Sequence, residues 1–208
     1  VLFRSHNNAP LSQALKIIMN AFYGVLGSVG CRFFDPRLAS SITLRGHEIM
    51  KKTRELIESK GYQVIYGDTD STFVWLKAAH NEVQAEQIGR QLAQDVNQWW
   101  KSYLTETYQL DSQLELEYET HYRRFLMPTI RGMETGSKKR YAGLSHDKMV
   151  FKGLETVRTD WTPLAQAFQK ELYTRIFNQQ PYQQFIRDYV ADTLLGKYDD
   201  RLVYRKRL

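Results

Sequence analysis

The chain has 208 residues, of which 42% are hydrophobic, 25% charged and 13% aromatic, with 5 prolines and a single cysteine, Cys31. This balance excludes intrinsic disorder, a collagen-like repeat and a disulfide scaffold, and one unpaired thiol favours a reducing compartment such as the cytosol. No apolar run approaches the roughly 20 residues of a membrane span, and a formal charge of +6 permits a nucleic-acid partner without requiring one.

In chain order, apolar residues first recur at Leu15, Ile18, Met19, Phe22 and Leu26, the spacing of one helix face, with Ser12 as N-cap and Gly24, Gly27 and Gly30 loosening the end. Residues 37–59 predict a second helix with Leu38, Ile42, Ile49, Leu56 and Ile57 inward, stopped at Gly61. Two β-rich runs, 62–66 and 71–76, joined by Gly67-Asp68-Thr69-Asp70, predict a hairpin. A helix over 81–103 follows, with Val83, Ile88, Leu92, Val96 and Trp99/Trp100 on its apolar side. Leu114, Leu116 and Tyr118 alternate with Glu115, Glu117 and Glu119, the pattern of a half-buried strand. Further β-like runs cover 124–130, 138–144 and 149–154. After Pro163 the pattern turns helical, interrupted by Pro181 and Gly196. The expected class is α+β, an antiparallel sheet with flanking helices and a helical appendage.

Charge is spread unevenly along this order: net +4 over residues 1–79, −6 over 80–120 and +8 over 121–208. Either the basic ends put positive potential on one side of the fold, or these are ordinary solvated helix faces.

Three stretches carry candidate chemistry. Asp68 and Asp70 are two apart, so extended backbone sends both carboxylates to one face, and their repulsion is costly unless a cation neutralises it. Hard oxygen donors at this density suit Mg²⁺ or Mn²⁺, while the alternative is a turn stabilised by Asx hydrogen bonds. On the first helix, Lys16, Asn20, Tyr23 and Gly27 form a continuous stripe that either faces a nucleotide or is the solvated back of the helix. Ser137-Lys138-Lys139-Arg140-Tyr141 is strand-like. Alternation sets Lys139 and Tyr141 on one face, suited to a phosphate and a sugar, and Lys138 and Arg140 on the other. Edge protection by cations is the competing explanation.

The order of these signals is specific. Lys16-Ile-Ile-Met-Asn20-Ala-Phe-Tyr23-Gly24 resembles the fingers motif of family B DNA polymerases, Lys-x3-Asn-Ser-x-Tyr-Gly, with Ala21 in place of Ser. Tyr66-Gly-Asp-Thr-Asp-Ser71 matches the palm carboxylate motif, Lys138-Lys-Arg-Tyr141 the Lys-x-Tyr primer-strand motif, and Lys152-Gly-Leu-Glu-Thr-Val-Arg158 resembles the palm-to-thumb segment. The resemblance runs from about Pro10 to Leu208, and residues 32–41 and 154–164 are especially similar to bacterial members.

That resemblance implies the end of a fingers domain in residues 1–30, an antiparallel-sheet palm in 31–155 and the start of a helical thumb in 156–208. It implies Asp70 as a direct ligand of both metals of a two-metal Mg²⁺ site, with Asp68 beside it and Mn²⁺ as a substitute. Lys16 would face the triphosphate, and Asn20 and Tyr23 the nascent base pair. Lys139 and Tyr141 would hold the primer terminus, and Lys138, Arg140, Lys152 and Arg158 would also face DNA. The implied reaction is attack of a primer 3′-hydroxyl on the α-phosphate of a dNTP, with pyrophosphate leaving, in DNA replication or repair. Implied partners are primer-template DNA, dNTP and a processivity factor, with no membrane, in a cytoplasmic and nucleoid-associated setting.

The family's first palm motif, Asp-x-x-Ser-Leu-Tyr-Pro, is absent from the sequence, as are the second fingers helix and the exonuclease region. The expectation is therefore a piece of a larger enzyme that alone binds duplex DNA weakly and polymerises negligibly. Val1-Leu-Phe-Arg-Ser5 departs from the family, and its back-translation resembles a sequencing-adaptor end, so an artefact is expected there. Two competing readings are a noncatalytic nucleic-acid-binding module and a nucleotide-sugar transferase. The Lys-x-Tyr stretch and the Lys16/Asn20/Tyr23 stripe argue against the latter, since a sugar donor needs no primer-binding surface.

Overall fold

The computed structural model describes residues 9–67, 71–129 and 139–204. They divide into two units, Val1–Tyr118 and Glu119–Leu208, each combining helices with one small antiparallel sheet, which bears out the α+β class. Among the described residues no helix is long and apolar enough to cross a membrane.

In the first unit, helix α1 (Ala9–Leu26) begins before Ser12, so that serine lies inside the helix rather than capping it. Pro10 occupies the first turn, where its missing N–H costs no helical hydrogen bond. The helix meets α2 (Pro36–Ser59) through Tyr23, whose Oη shares a 2.7 Å hydrogen bond with Thr43 Oγ1, and Gly27, just past its end, lies beside Ala39. Ile18 and Phe22, assigned inward by periodicity, are 61% and 55% exposed. Periodicity identifies which face of a helix is apolar and says nothing of what covers it.

Helix α2 starts on Asp35, whose carboxylate accepts the Arg37 N–H, with Pro36 in the first turn. Leu38 and Ile42 remain exposed, whereas Thr53 and Ile57 are buried and Ile49 and Leu56 pack on the core. Gly61, at φ +89°, ends the turn as expected. Strands β1 (Gln63–Gly67) and β2 (Thr72–Trp75) form the predicted hairpin, with an irregularity between Val64 and Tyr66.

Helix α3 (Glu82–Tyr108) opens with a capping box between Asn81 and Gln84 and runs past Tyr103 to a left-handed Gln109. It outlasts the prediction because Leu104 still packs on the core and Tyr103 stacks on Trp99. Val83, expected inward, is exposed, and Ala85 is the buried residue of that first turn. The core joins Ile57, Val64, Leu92, Val96 and Trp100. The Trp100 indole N–H donates to Thr53 Oγ1 at 3.5 Å, so neither polar atom is buried unmet. Residues 114–118 keep the predicted alternation, with Leu114 and Leu116 on the core, but form no strand. A side chain of α3, Asn97, stands where a partner strand would be.

In the second unit, β3 (Arg124–Leu126), β4 (Tyr141–Ser145) and β5 (Lys148–Lys152) form an antiparallel meander in sequence order. Ala142 and Leu144 face a core with Leu154 and Phe177, the latter from α4 (Pro163–Phe177). Thr162 caps α4, Pro181 precedes α5 (Gln183–Leu194), and Gly196 is left-handed beyond it, so both predicted breaks are in place. Phe168 packs on Phe185 and Tyr189, and the Tyr189 hydroxyl donates to Leu164 O, which pins α5 to α4. One expectation fails here. Lys139 has φ +66° in a turn and β4 begins only at Tyr141, so strand alternation does not extend over 139–141 and does not put Lys139 and Tyr141 on a common strand face.

Candidate functional site

Asp68 and Asp70 lie outside the described residues, and the ribbon that carries them is described on both sides. Gly67 pairs with Thr72, so residues 68–71 connect the strands, and the Tyr66 and Phe73 rings lie 5.4 Å apart beside this pair. A methyl group on Gly67 would lie 3.4 Å from Met50 Cε, so α2 packs directly under the base of the tip. Glu115, Glu117 and Glu119 are exposed. Among the described residues, no group of three or more His, Cys, Asp or Glu side chains is placed to hold a metal ion.

On α1, Lys16 and Asn20 are exposed, while Tyr23 is oriented by its bond to Thr43, which in turn donates to Ala39 O at 3.0 Å. The stripe is therefore divided: its Tyr-Gly end meets α2 and its Lys-Asn end faces solvent.

The second unit gathers more of the candidate residues. Alternation along β4 turns Ala142 and Leu144 into the core and leaves Tyr141 and Gly143 on the outer face. Register places Lys152 beside Tyr141, and both Val150 and Phe125 beside Gly143. Tyr122 lies across Gly143, where a methyl group would come within 2.3 Å of its ring. Tyr122, Phe125 and Tyr141 form an aromatic cluster with centroids 5.2 to 6.1 Å apart. Burial pushes the Tyr122 hydroxyl well above its usual pKa, reinforced by the neighbouring Tyr141 hydroxyl.

At the end of this face, the backbone turn at Lys139 rests on Gly153. Arg140 Nη1 lies 3.4 Å from Glu155 Oε1, and Gln169 Nε2 on α4 donates to Glu155 Oε2 at 2.6 Å. Partial burial raises the Glu155 pKa, but the Gln169 amide, a backbone hydrogen bond and the charges of Arg140 and Arg158 outweigh it and hold the carboxyl below the ordinary value. Arg158 is engaged by both carboxylate oxygens of Asp160. The structure thus brings Lys139, Arg140, Tyr141 and Lys152 together, with Arg158 just beyond them along the chain. Lys138 lies outside the described residues.

Tyr122, Glu155 and Gly153 shape this face and are not legible as such in the sequence. Gly153 and Glu155 leave a trace only as members of the Lys152–Arg158 motif, with Gly153 inside the β-like run 149–154, and Tyr122 sits in an aromatic-rich stretch with nothing to mark its partner.

The sequence model of DNA polymerase family B matches residues 10–202. The chain is 67% identical over 209 aligned residues to DNA polymerase II of Escherichia coli (strain K12), covering 99% of this chain and 27% of that protein. It is 31% identical over 181 residues to the DNA polymerase alpha catalytic subunit of Drosophila melanogaster, covering 83% of this chain and 11% of that one. To a DNA polymerase of Thermococcus gorgonarius it is 30% identical over 177 residues, covering 84% and 20%. The chain spans about a quarter or less of the length of these relatives. Across nearly its whole length, this chain belongs to DNA polymerase family B.

Proposed function

We propose that this chain supplies nucleotidyl-transfer and primer-holding residues for template-directed DNA synthesis, with fingers residues in 1–30, palm in 31–155 and the start of the thumb in 156–208. The observation that supports the reading is that the strands flanking the matched family motif pair as a two-stranded ribbon. Gly67 and Thr72, which flank the motif's carboxylates in the sequence, pair across the two strands, and Met50 of α2 lies beside Gly67.

Asp70, with Asp68 beside it, fits a divalent ion by donor chemistry, since both offer hard carboxylate oxygens. Bound there, Mg²⁺ would stabilise negative charge on the attacking and leaving oxygens, and Mn²⁺ could replace it. Lys16 would neutralise triphosphate oxygens from the exposed end of the α1 stripe. Asn20 and Tyr23 would line the nascent base pair, with Tyr23 already oriented by Thr43. Lys139 would bind a primer phosphate, and Tyr141 would pack on the primer sugar from the edge of the aromatic cluster. Lys138, Arg140, Lys152 and Arg158 would add positive potential along the same strand of DNA. Positioning and charge stabilisation would supply most of the acceleration of such a displacement.

A chimera tests this. Exchanged for the corresponding segment of E. coli DNA polymerase II, the chain is expected to support primer extension by the hybrid. A folded hybrid that binds primer-template yet incorporates no nucleotide would favour the noncatalytic binding module instead.

A further inference from the structure

We propose that Gly153 is a positioning residue for the DNA-facing turn, acting through the backbone of Lys139. The inference rests on the reading of Lys139 as a primer-phosphate contact. Lys139 is left-handed at φ +66°, a state uncommon for a residue with a β-carbon and maintained where surroundings impose it. Gly153 is that surrounding. Its own φ is +62°, and a methyl group on it would lie 2.2 Å from the Lys139 carbonyl oxygen, 3.2 Å from the carbonyl carbon and 3.4 Å from Arg140 Cγ. The two nearest atoms belong to a peptide group that cannot withdraw without carrying Lys139 with it.

Three further links fix the same segment. Tyr141, two residues after Lys139, pairs with Lys152, one residue before Gly153. Glu155 holds Arg140, and Gln169 on α4 holds Glu155 while its own carbonyl accepts the Thr156 N–H at 2.9 Å. The Lys139-Arg140-Tyr141 and Lys152-Gly153-Leu154-Glu155 runs are therefore one unit. Adding a β-carbon at Gly153 changes no charge and displaces the peptide that aims Lys139.

The test measures binding of the 208-residue chain to a labelled primer-template duplex over a range of salt. Lys139→Ala is the reference, expected to weaken binding by about three- to tenfold and to flatten the salt slope by about one unit. Gly153→Ala is expected to reproduce that loss at unchanged charge, and to add less than about twofold in the Lys139→Ala background. Gly153→Asn tolerates positive φ but carries the same β-carbon, so it should behave like Gly153→Ala. A measurement needing no Gly153 variant accompanies these: the Gly153 amide resonance should shift when DNA is added to the wild type, and that shift should be lost in Lys139→Ala. An unchanged salt slope in a folded Gly153 variant, full additivity with Lys139→Ala, or a Gly153 amide indifferent to DNA overturns the inference. Lys139→Ala with no effect on affinity or slope overturns the underlying reading of Lys139 instead.

Discussion

Asn97 does for Leu116 what a neighbouring strand would do. Its side-chain amide donates to the Leu116 carbonyl at 2.9 Å and accepts the Leu116 N–H at 2.7 Å, both partly buried. One amide side chain thereby replaces a ladder pair and straps the extended segment to α3, with Leu114 and Leu116 on the core and Tyr118 seated on Gly89.

Asn97→Ala is therefore expected to destabilise the chain by about 1–3 kcal/mol, because both Leu116 backbone groups lose a partner where water reaches them poorly. Urea unfolding measures it. Loss of less than a few tenths would mean that the apolar contacts alone hold the segment.

Alkaline stability reports on the outer face of the second sheet. Burial and Tyr141 raise the Tyr122 pKa above its ordinary 10.0. A raised folded-state value stabilises the fold at pH below 10, and that contribution is lost as pH climbs toward the folded value. Tyr122→Phe should therefore flatten the fall in unfolding midpoint above pH 10. An unchanged alkaline slope would place the hydroxyl in solvent.

Acid stability reports on Glu155, and the sign reverses. Its folded-state pKa lies below the ordinary 4.5, so its contribution is complete above pH 4.5 and disappears as pH falls through the lower folded value. Asp35, Asp95 and Asp160 shift in the same direction, so the comparison must be differential. Glu155→Gln should lose less stability than the wild type between pH 5 and pH 3. Equal losses would show that Arg140 and Gln169 do not favour the charged carboxyl.

The helices, the hairpin and the meander were legible because periodicity and turn residues are local properties. What the sequence could not disclose were relations at a distance. Alternation at 114–118 correctly sorted the buried residues, yet the partner proved to be a side chain 19 positions away, for which no pattern exists. The apolar spacing of α1 identified a face, while the contact with α2 came through Tyr23 and Gly27. Lys139 falls in the β-like run 138–144, which the structure keeps only from Tyr141 onward. Its left-handed turn depends on Gly153, which meets it only after the chain has made β4 and β5. Candidate chemistry was readable as motifs, and its support was not.

The proposed role of Asp68 and Asp70 is to hold the metal and carry nucleotidyl transfer. Asp70→Ala in a hybrid of E. coli DNA polymerase II carrying this chain tests it most directly, with single-nucleotide incorporation and primer-template affinity measured on the same samples. Incorporation should fall by about 10³-fold or more, equivalent to roughly 4 kcal/mol of transition-state stabilisation, with affinity for primer-template unchanged to within a few-fold. Near-normal incorporation by the variant would contradict that role.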